Sequence, residues 1–162
     1  MVTAMTGRLL ADEARARVAA VPDPELPMVT IEDLGILRGV RVEDGAVHVT
    51  ITPTYAGCPA MDAIRADIEA ALPGEQVVVH TVLAPAWSTD DLTEVGRRKL
   101  AEAGIAPPGG SRGSTTGLVL AVRCPQCGSP DTRELSRFGS TACKALWVCN
   151  ACAEPFDSFK KH

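Results

Sequence analysis

Aromatic side chains are scarce in this sequence. They make up 4% of 162 residues, and four of the six (Phe138, Trp147, Phe156 and Phe159) fall in the last quarter. One evenly packed core would not distribute them so unevenly, and two units with different cores are expected. Excess positive charge is missing as well, since the formal net charge is −4. A general polyanion binder needs basic side chains to neutralise phosphates, so nucleic acid is not an expected partner. No apolar run reaches the roughly 20 residues of a membrane-spanning helix. The start, Met1-Val2-Thr3-Ala4-Met5-Thr6-Gly7-Arg8, lacks the basic-then-apolar pattern of a leader. These absences point to a soluble, cytoplasmic chain with no membrane partner. Histidine is rare (His48, His80, His162), and no Glu-x-x-His pair is available for a di-iron carboxylate centre. Neither His48 nor His80 stands at a spacing from a cysteine that suggests a hydrolytic Cys–His enzyme.

What the sequence does have is enough apolar residues for a core, at 46%, and six cysteines. In a reducing compartment these favour metal or reactive thiols over disulfides. Leu10, Ala14, Val18 and Val21 recur at helical spacing, with Thr6 as a candidate cap and Pro22-Asp23-Pro24 as the stop. Val40 and Val42, the turn Asp44-Gly45, then Val47, Val49 and Ile51 read as a hairpin with one buried face. Met61, Ile64, Ile68 and Leu72 form a second helical stripe. Val77 to Leu83 reads as a buried third strand. Ser88 or Thr89 can cap a third helix, whose apolar side is Leu92, Val95 and Leu100. The order helix, strand, strand, helix, strand, helix predicts a small α+β domain over residues 1–106. Residues 107–117 have the Pro/Gly/Ser composition of a linker, and residues 118–162 form the second unit.

That second unit carries Cys124-Pro125-Gln126-Cys127 and Cys149-Asn150-Ala151-Cys152, with 21 residues between the pairs. Two residues between cysteines let a tight knuckle present both sulfurs to one cation, and two knuckles complete a tetrahedron at about 2.3 Å per Zn–S bond. A structural zinc is the favoured occupant, ahead of iron or disulfides. A segment this short needs such a staple to fold. Strands are expected around Leu118–Arg123, Leu146–Val148 and Phe156–Phe159. The six basic and four acidic side chains of this unit, set against the −2 of zinc with four thiolates, leave it near neutrality. A nucleic-acid-binding ribbon is the weaker alternative for that reason.

Two further cysteines stand apart. Cys58 precedes Pro59 and the second helix. A thiol at a helix N-terminus meets free amides and the positive dipole end, which favours thiolate. Cys143 lies within the second unit beside Lys144 and reads as an ordinary buried thiol or a reactive one. Asp23, Glu25 and Asp33 cluster after the first helix, where carboxylates most often cap amides.

Asp23-Pro24-Glu25-Leu26, Asp33-Leu34-Gly35 and Thr52-Pro53-Thr54-Tyr55-Ala56-Gly57-Cys58-Pro59 resemble the α+β domain of SufT-like iron–sulfur assembly factors. Joined to Phe138-Gly139-Ser140-Thr141-Ala142-Cys143-Lys144-Ala145-Leu146 inside a zinc ribbon, the pattern resembles the PaaD (also PaaJ) family of phenylacetyl-CoA epoxidase accessory proteins. The likeness extends over nearly the whole chain. It implies a maturation factor that is not itself an enzyme. The implied partner is an iron–sulfur client, the reductase component of the epoxidase. It also implies structural Zn2+, transient contact with iron or an iron–sulfur cluster through Cys58, an acidic motif in Asp23 and Glu25, and a second functional thiol in Cys143. A non-catalytic adaptor of the oxygenase complex is the alternative. Relatives usually carry a second tryptophan shortly after the one matching Trp87, where this chain has Asp91. Oligomeric state is left open by the sequence.

Overall fold

The computed structural model describes residues 9–108 and 122–160. The first helix, α1 (Ala11–Ala19), buries Ala14 and Val18, one turn apart. Its N-cap is Leu10, which makes no side-chain cap bond, and Thr6 lies outside the described residues. A hairpin follows: β1 (Leu37–Glu43) pairs antiparallel with β2 (Ala46–Ile51). Asp44 and Gly45 between them both have positive φ, 51° and 81°. This is the backbone of a type I′ turn, whose twist matches that of the flanking strands. α2 (Ala60–Ala71) then returns the chain so that β3 (Gln76–Thr81) runs parallel to β2. The sheet order is β1-β2-β3. Val47, Val49 and Ile51 of the central strand and Ile64 and Ile68 of α2 are fully buried together.

Two expectations need correction. The valines of β3 are only partly buried and Leu83 is 69% exposed, because β3 forms the sheet's edge. Ser88 does cap, but what it caps is one 3-10 turn, Thr89–Asp91. Leu92 is extended, which breaks the helical phase, and α3 (Glu94–Glu102) starts afresh with Thr93 as its cap. Residues 92, 95 and 100 therefore do not share one helical face. Leu92 and Leu100 are buried, whereas Val95 is exposed.

The second sheet has the order β4-β7-β6-β5. Three of its strands come from the cysteine-rich segment: β5 (Thr132–Ser136), β6 (Lys144–Cys149) and β7 (Pro155–Phe159). The fourth, β4 (Ile105–Ala106), lies before the expected linker and pairs parallel with Asp157 and Ser158. Of the strand expected at Leu118–Arg123, residues 118–121 lie outside the described residues, and Val122 and Arg123 are not in a strand. Two cores result. Ala106, Cys124, Cys149 and Phe156 cluster with Trp147 inside the second unit. Phe159 and Cys143 instead join the larger core, where the Phe159 ring lies 5.9 Å from that of Trp87. Aromatic side chains bury roughly 150–250 Å² each, so this contact is a substantial seam between the two sheets.

Candidate functional site

Two groups of thiols are present, and local backbone geometry explains the first. The amide of Gly128 donates to the Cys124 carbonyl at 2.9 Å, and that of Ala153 donates to the Cys149 carbonyl at 2.9 Å. Gly128 (φ 74°) and Ala153 (φ 63°) both adopt the left-handed conformation that closes a knuckle. Asn150 ties the knuckles together: its amide donates to the Asp131 carbonyl at 2.9 Å, and its side chain donates to the Asp131 carboxylate at 2.8 Å. The sulfurs of Cys124, Cys127, Cys149 and Cys152 all lie within 4.8 Å of one another. Cys124 and Cys152 are 3.8 Å apart, and Cys127 and Cys149 are 3.6 Å apart. A tetrahedron with metal–sulfur bonds of about 2.3 Å has edges of about 3.8 Å, so the four residues fit one metal ion. The amide of Cys152 heads the interactions that hold the Cys149 thiol down to about 7.

The second group forms where the two sheets meet. Cys58 stands just before α2, half-buried, with the Ala60 amide and the Tyr55 side chain as hydrogen-bond partners. Pro59, expected as the first helical residue, occupies the cap position. The helix terminus does not produce the expected thiolate. Burial pushes the Cys58 thiol up, and the carboxylates of Glu25 and Asp23 add to that, outweighing the two hydrogen bonds. Tyr55 is itself pushed up to about 12, first by burial and then by Cys58.

Asp23 explains why Glu25 is there. One oxygen of its buried carboxylate accepts from the amides of both Glu25 and Leu26, each at 2.9 Å. That closes the turn and turns Glu25 toward the ribbon. Burial raises the Asp23 pKa against the pull of these amides. Asp33 serves α3 instead. It accepts from the Thr30 amide at 3.0 Å and pairs with Lys99 at 2.6 Å.

Cys143, 85 residues further on than Cys58, approaches the Glu25 carboxylate from the ribbon. It is 5% exposed, its sulfur lies 3.0 Å from the Thr141 hydroxyl, and it lies 3.9 Å from the Glu25 carboxylate. Burial raises this thiol too, against the hydrogen bond with Thr141; Glu25 and Asp23 add to the rise, and Lys144 opposes it. Lys144 is buried and faces Asp157 at 3.7 Å. Sequence reasoning missed Tyr55 and Thr141 as neighbours of the thiols; both lie beside a singled-out cysteine, which is the only signal that could have found them. His48 and His80 stack on each other and share a 3.0 Å hydrogen bond. Asp91 caps the Ser88 amide at 2.8 Å and pairs with Arg38. Among the described residues no helix is long and apolar enough to cross a membrane.

Comparison with known proteins covers both units. Residues 109–160 match the PaaD zinc beta ribbon domain, and residues 11–81 match the iron–sulfur cluster assembly protein family. A protein of Escherichia coli (strain K12), provisionally named as a component of 1,2-phenylacetyl-CoA epoxidase, is 44% identical over 91% of this chain and 91% of its own. An Fe-S protein maturation auxiliary factor of Porphyromonas gingivalis is 38% identical over 46% of this chain and 74% of its own. Among solved structures, a domain of unknown function, DUF59, from Bacillus anthracis superposes with a TM-score of 0.51 at 28% identity. That match covers 56% of this chain and 90% of the other.

Proposed function

Because this chain belongs to the PaaD family, which joins an iron–sulfur assembly domain to a zinc ribbon, we propose that it matures an iron–sulfur protein of the phenylacetyl-CoA epoxidase system, its client being the reductase component. It acts as an accessory protein with no turnover of its own. The observation that carries this reading is the setting of Cys58: a single half-buried thiol at the start of α2, hydrogen-bonded to Tyr55 and in the field of the Glu25 and Asp23 carboxylates. Thiolate is the ligand that iron–sulfur centres use. A thiol whose pKa is raised must lose a proton to accept iron, and it regains one when iron leaves. Binding that competes with protonation is weak enough for cargo to be passed on.

The ribbon serves a different purpose in this reading. Zinc is the metal that Cys124, Cys127, Cys149 and Cys152 hold, and four thiolates leave no open position for chemistry. The metal supplies folding free energy, and the ribbon then presents a fixed surface to the client.

The test is made in cells that co-express the reductase with this chain. With Cys58→Ser, the purified reductase should carry severalfold less iron and acid-labile sulfide than with wild type, while zinc in the variant stays at one per chain. A fully loaded reductase would end the maturation reading and recast the chain as a structural adaptor of the oxygenase.

A further inference from the structure

Phe138 opens the ribbon motif that runs to Leu146, yet it belongs to neither core, and its ring is 83% exposed. A single exposed apolar side chain is ordinary. This one differs in being held out by a tied backbone. The Phe138 amide donates to the Ser136 hydroxyl at 3.0 Å. The Gly139 amide donates to the Lys144 carbonyl at 2.9 Å, and the Lys144 amide donates to the Thr141 carbonyl at 3.1 Å. Ser140 donates its hydroxyl to the Asp157 carboxylate at 3.3 Å. Glycine lets the loop lie this close to β6, because a Cβ on residue 139 would stand 2.9 Å from the Lys144 carbonyl oxygen. The loop is thus pinned to β5, β6 and β7, while its one aromatic ring is left in water.

The charges around the ring are mainly of one sign. Arg137 precedes it in the chain, with a side chain 86% exposed. The Lys160 ammonium stands 5.6 Å from the ring centroid, within cation–π range. Arg133 and Leu135 are exposed on β5, the edge strand of this sheet. Between residues 132 and 143 the one acidic side chain is Glu134, 3.8 Å from Arg137. Asp157, which Ser140 meets, is paired with Lys144. Three cations against one free-standing carboxylate reverse, locally, the sign of a chain whose net charge is −4. Aromatic side chains and arginine are the residues that most often carry binding energy at protein interfaces.

Resting on the maturation reading, we propose that Phe138 is the anchor with which the ribbon docks its client protein: the ring enters an apolar pocket on the client, and Arg137, Lys160 and Arg133 meet carboxylates around the mouth of that pocket. The loop is already tied down, so little conformational freedom is lost when the ring is enclosed. Burial of the ring supplies affinity, and the cations steer and orient the encounter. Other occupants fit less well. Single-stranded nucleic acid binds to successive aromatic platforms along a basic groove, and this loop offers one ring. A lipid surface requires a broad apolar face or two anchoring signals, which one ring does not provide. Cys58 stands in the other unit, at the start of α2, so docking and thiol chemistry are separable by mutation.

The test is calorimetric titration of the zinc-loaded full chain into purified, cluster-free reductase component. Wild type should bind, and more weakly as salt is raised. Phe138→Ala should weaken binding by about tenfold or more. Arg137→Glu should weaken it severalfold and flatten its salt dependence. Both side chains are exposed, so an unchanged zinc content and far-UV dichroism spectrum are expected of both variants. Cys58→Ser should bind as wild type does, because it alters the thiol and leaves the anchor in place. Unchanged binding by Phe138→Ala overturns the proposal, and so does a wild type that does not bind. Phe138-dependent self-association in sedimentation, or Phe138-dependent binding to a single-stranded oligonucleotide or to anionic vesicles in place of the reductase, overturns it too and identifies a second copy, nucleic acid or a membrane as the occupant. The maturation reading is tested apart from all of these, and falls only if Cys58→Ser loads the reductase fully in cells.

Discussion

Asp23 sits where a charge is unwelcome. Its carboxylate is buried, and what it does there is accept two amides, from Glu25 and Leu26. An asparagine oxygen could accept the same two, without the charge. Burial raises the folded-state pKa above the ordinary 3.8. In the window between the two values the folded chain keeps a proton that the unfolded chain has released, so this group's contribution falls as pH rises through that window and stays unfavourable above it. Asp23→Asn should therefore match or exceed wild type in urea unfolding at neutral pH, and lose that advantage below pH 3.8. Asp23→Ala, which orphans a buried amide, should cost about 1–3 kcal/mol. If Asn costs as much as Ala, the turn is not what Asp23 is for. The Asp-Pro-Glu spacing made the turn legible in the sequence. The acidity of Cys58 was not legible, because it is set first by burial in the folded chain, and the carboxylates that add to it, Glu25 and Asp23, lie more than thirty residues away in the sequence.

At the scale of elements, one glycine decides whether the 3-10 turn can lie against the start of β1. Gly35 has φ 71°, and a Cβ built on it would stand 2.4 Å from the Asp91 carbonyl oxygen. Backbone cannot retreat as a flexible side chain can, least of all here, where Asp91 is held by Arg38 and by its cap on Ser88. Gly35→Ala combines left-handed strain of about 1–2 kcal/mol with overpacking of roughly 1–3 kcal/mol. A loss of about 2–5 kcal/mol in urea unfolding is expected, and a loss below about 1 kcal/mol would mean that the turn moves freely. The presence of three helices, the hairpin and the two cysteine knuckles was legible from period and spacing, but the caps of α1 and α3 and the apolar face of α3 were not. Two strands were not. β5 reads Thr-Arg-Glu-Leu-Ser, with no apolar alternation to betray it, and β4 is two residues long and exists only because β7 pairs with it.

The two units are joined more tightly than linker composition at residues 107–117 suggests, and that has a measurable consequence for the whole molecule. Metal at the four cysteines fixes β5, β6 and β7. β7 carries Phe159, which packs on Trp87, and Trp87 donates its indole N–H to the Leu34 carbonyl at 2.7 Å. Structural zinc contributes apparent free energies of about 10–16 kcal/mol in small ribbons and fingers, comparable to the roughly 5–15 kcal/mol total stability of an ordinary domain. Chelation should therefore unfold the ribbon outright and strip the cover from Trp87 and Cys143. In a Trp147→Phe background, where Trp87 is the only tryptophan, chelation should red-shift the emission. It should also speed alkylation of Cys143 severalfold, because the ribbon fold that buries its sulfur is gone. Helical far-UV dichroism should survive, since α1, α2 and α3 all belong to the first unit. An emission spectrum and a Cys143 alkylation rate both indifferent to the metal would mean that the seam does not couple the units. Coupling in the expected sense makes metal status at the ribbon a condition for keeping Cys143 and Phe159 in the main core.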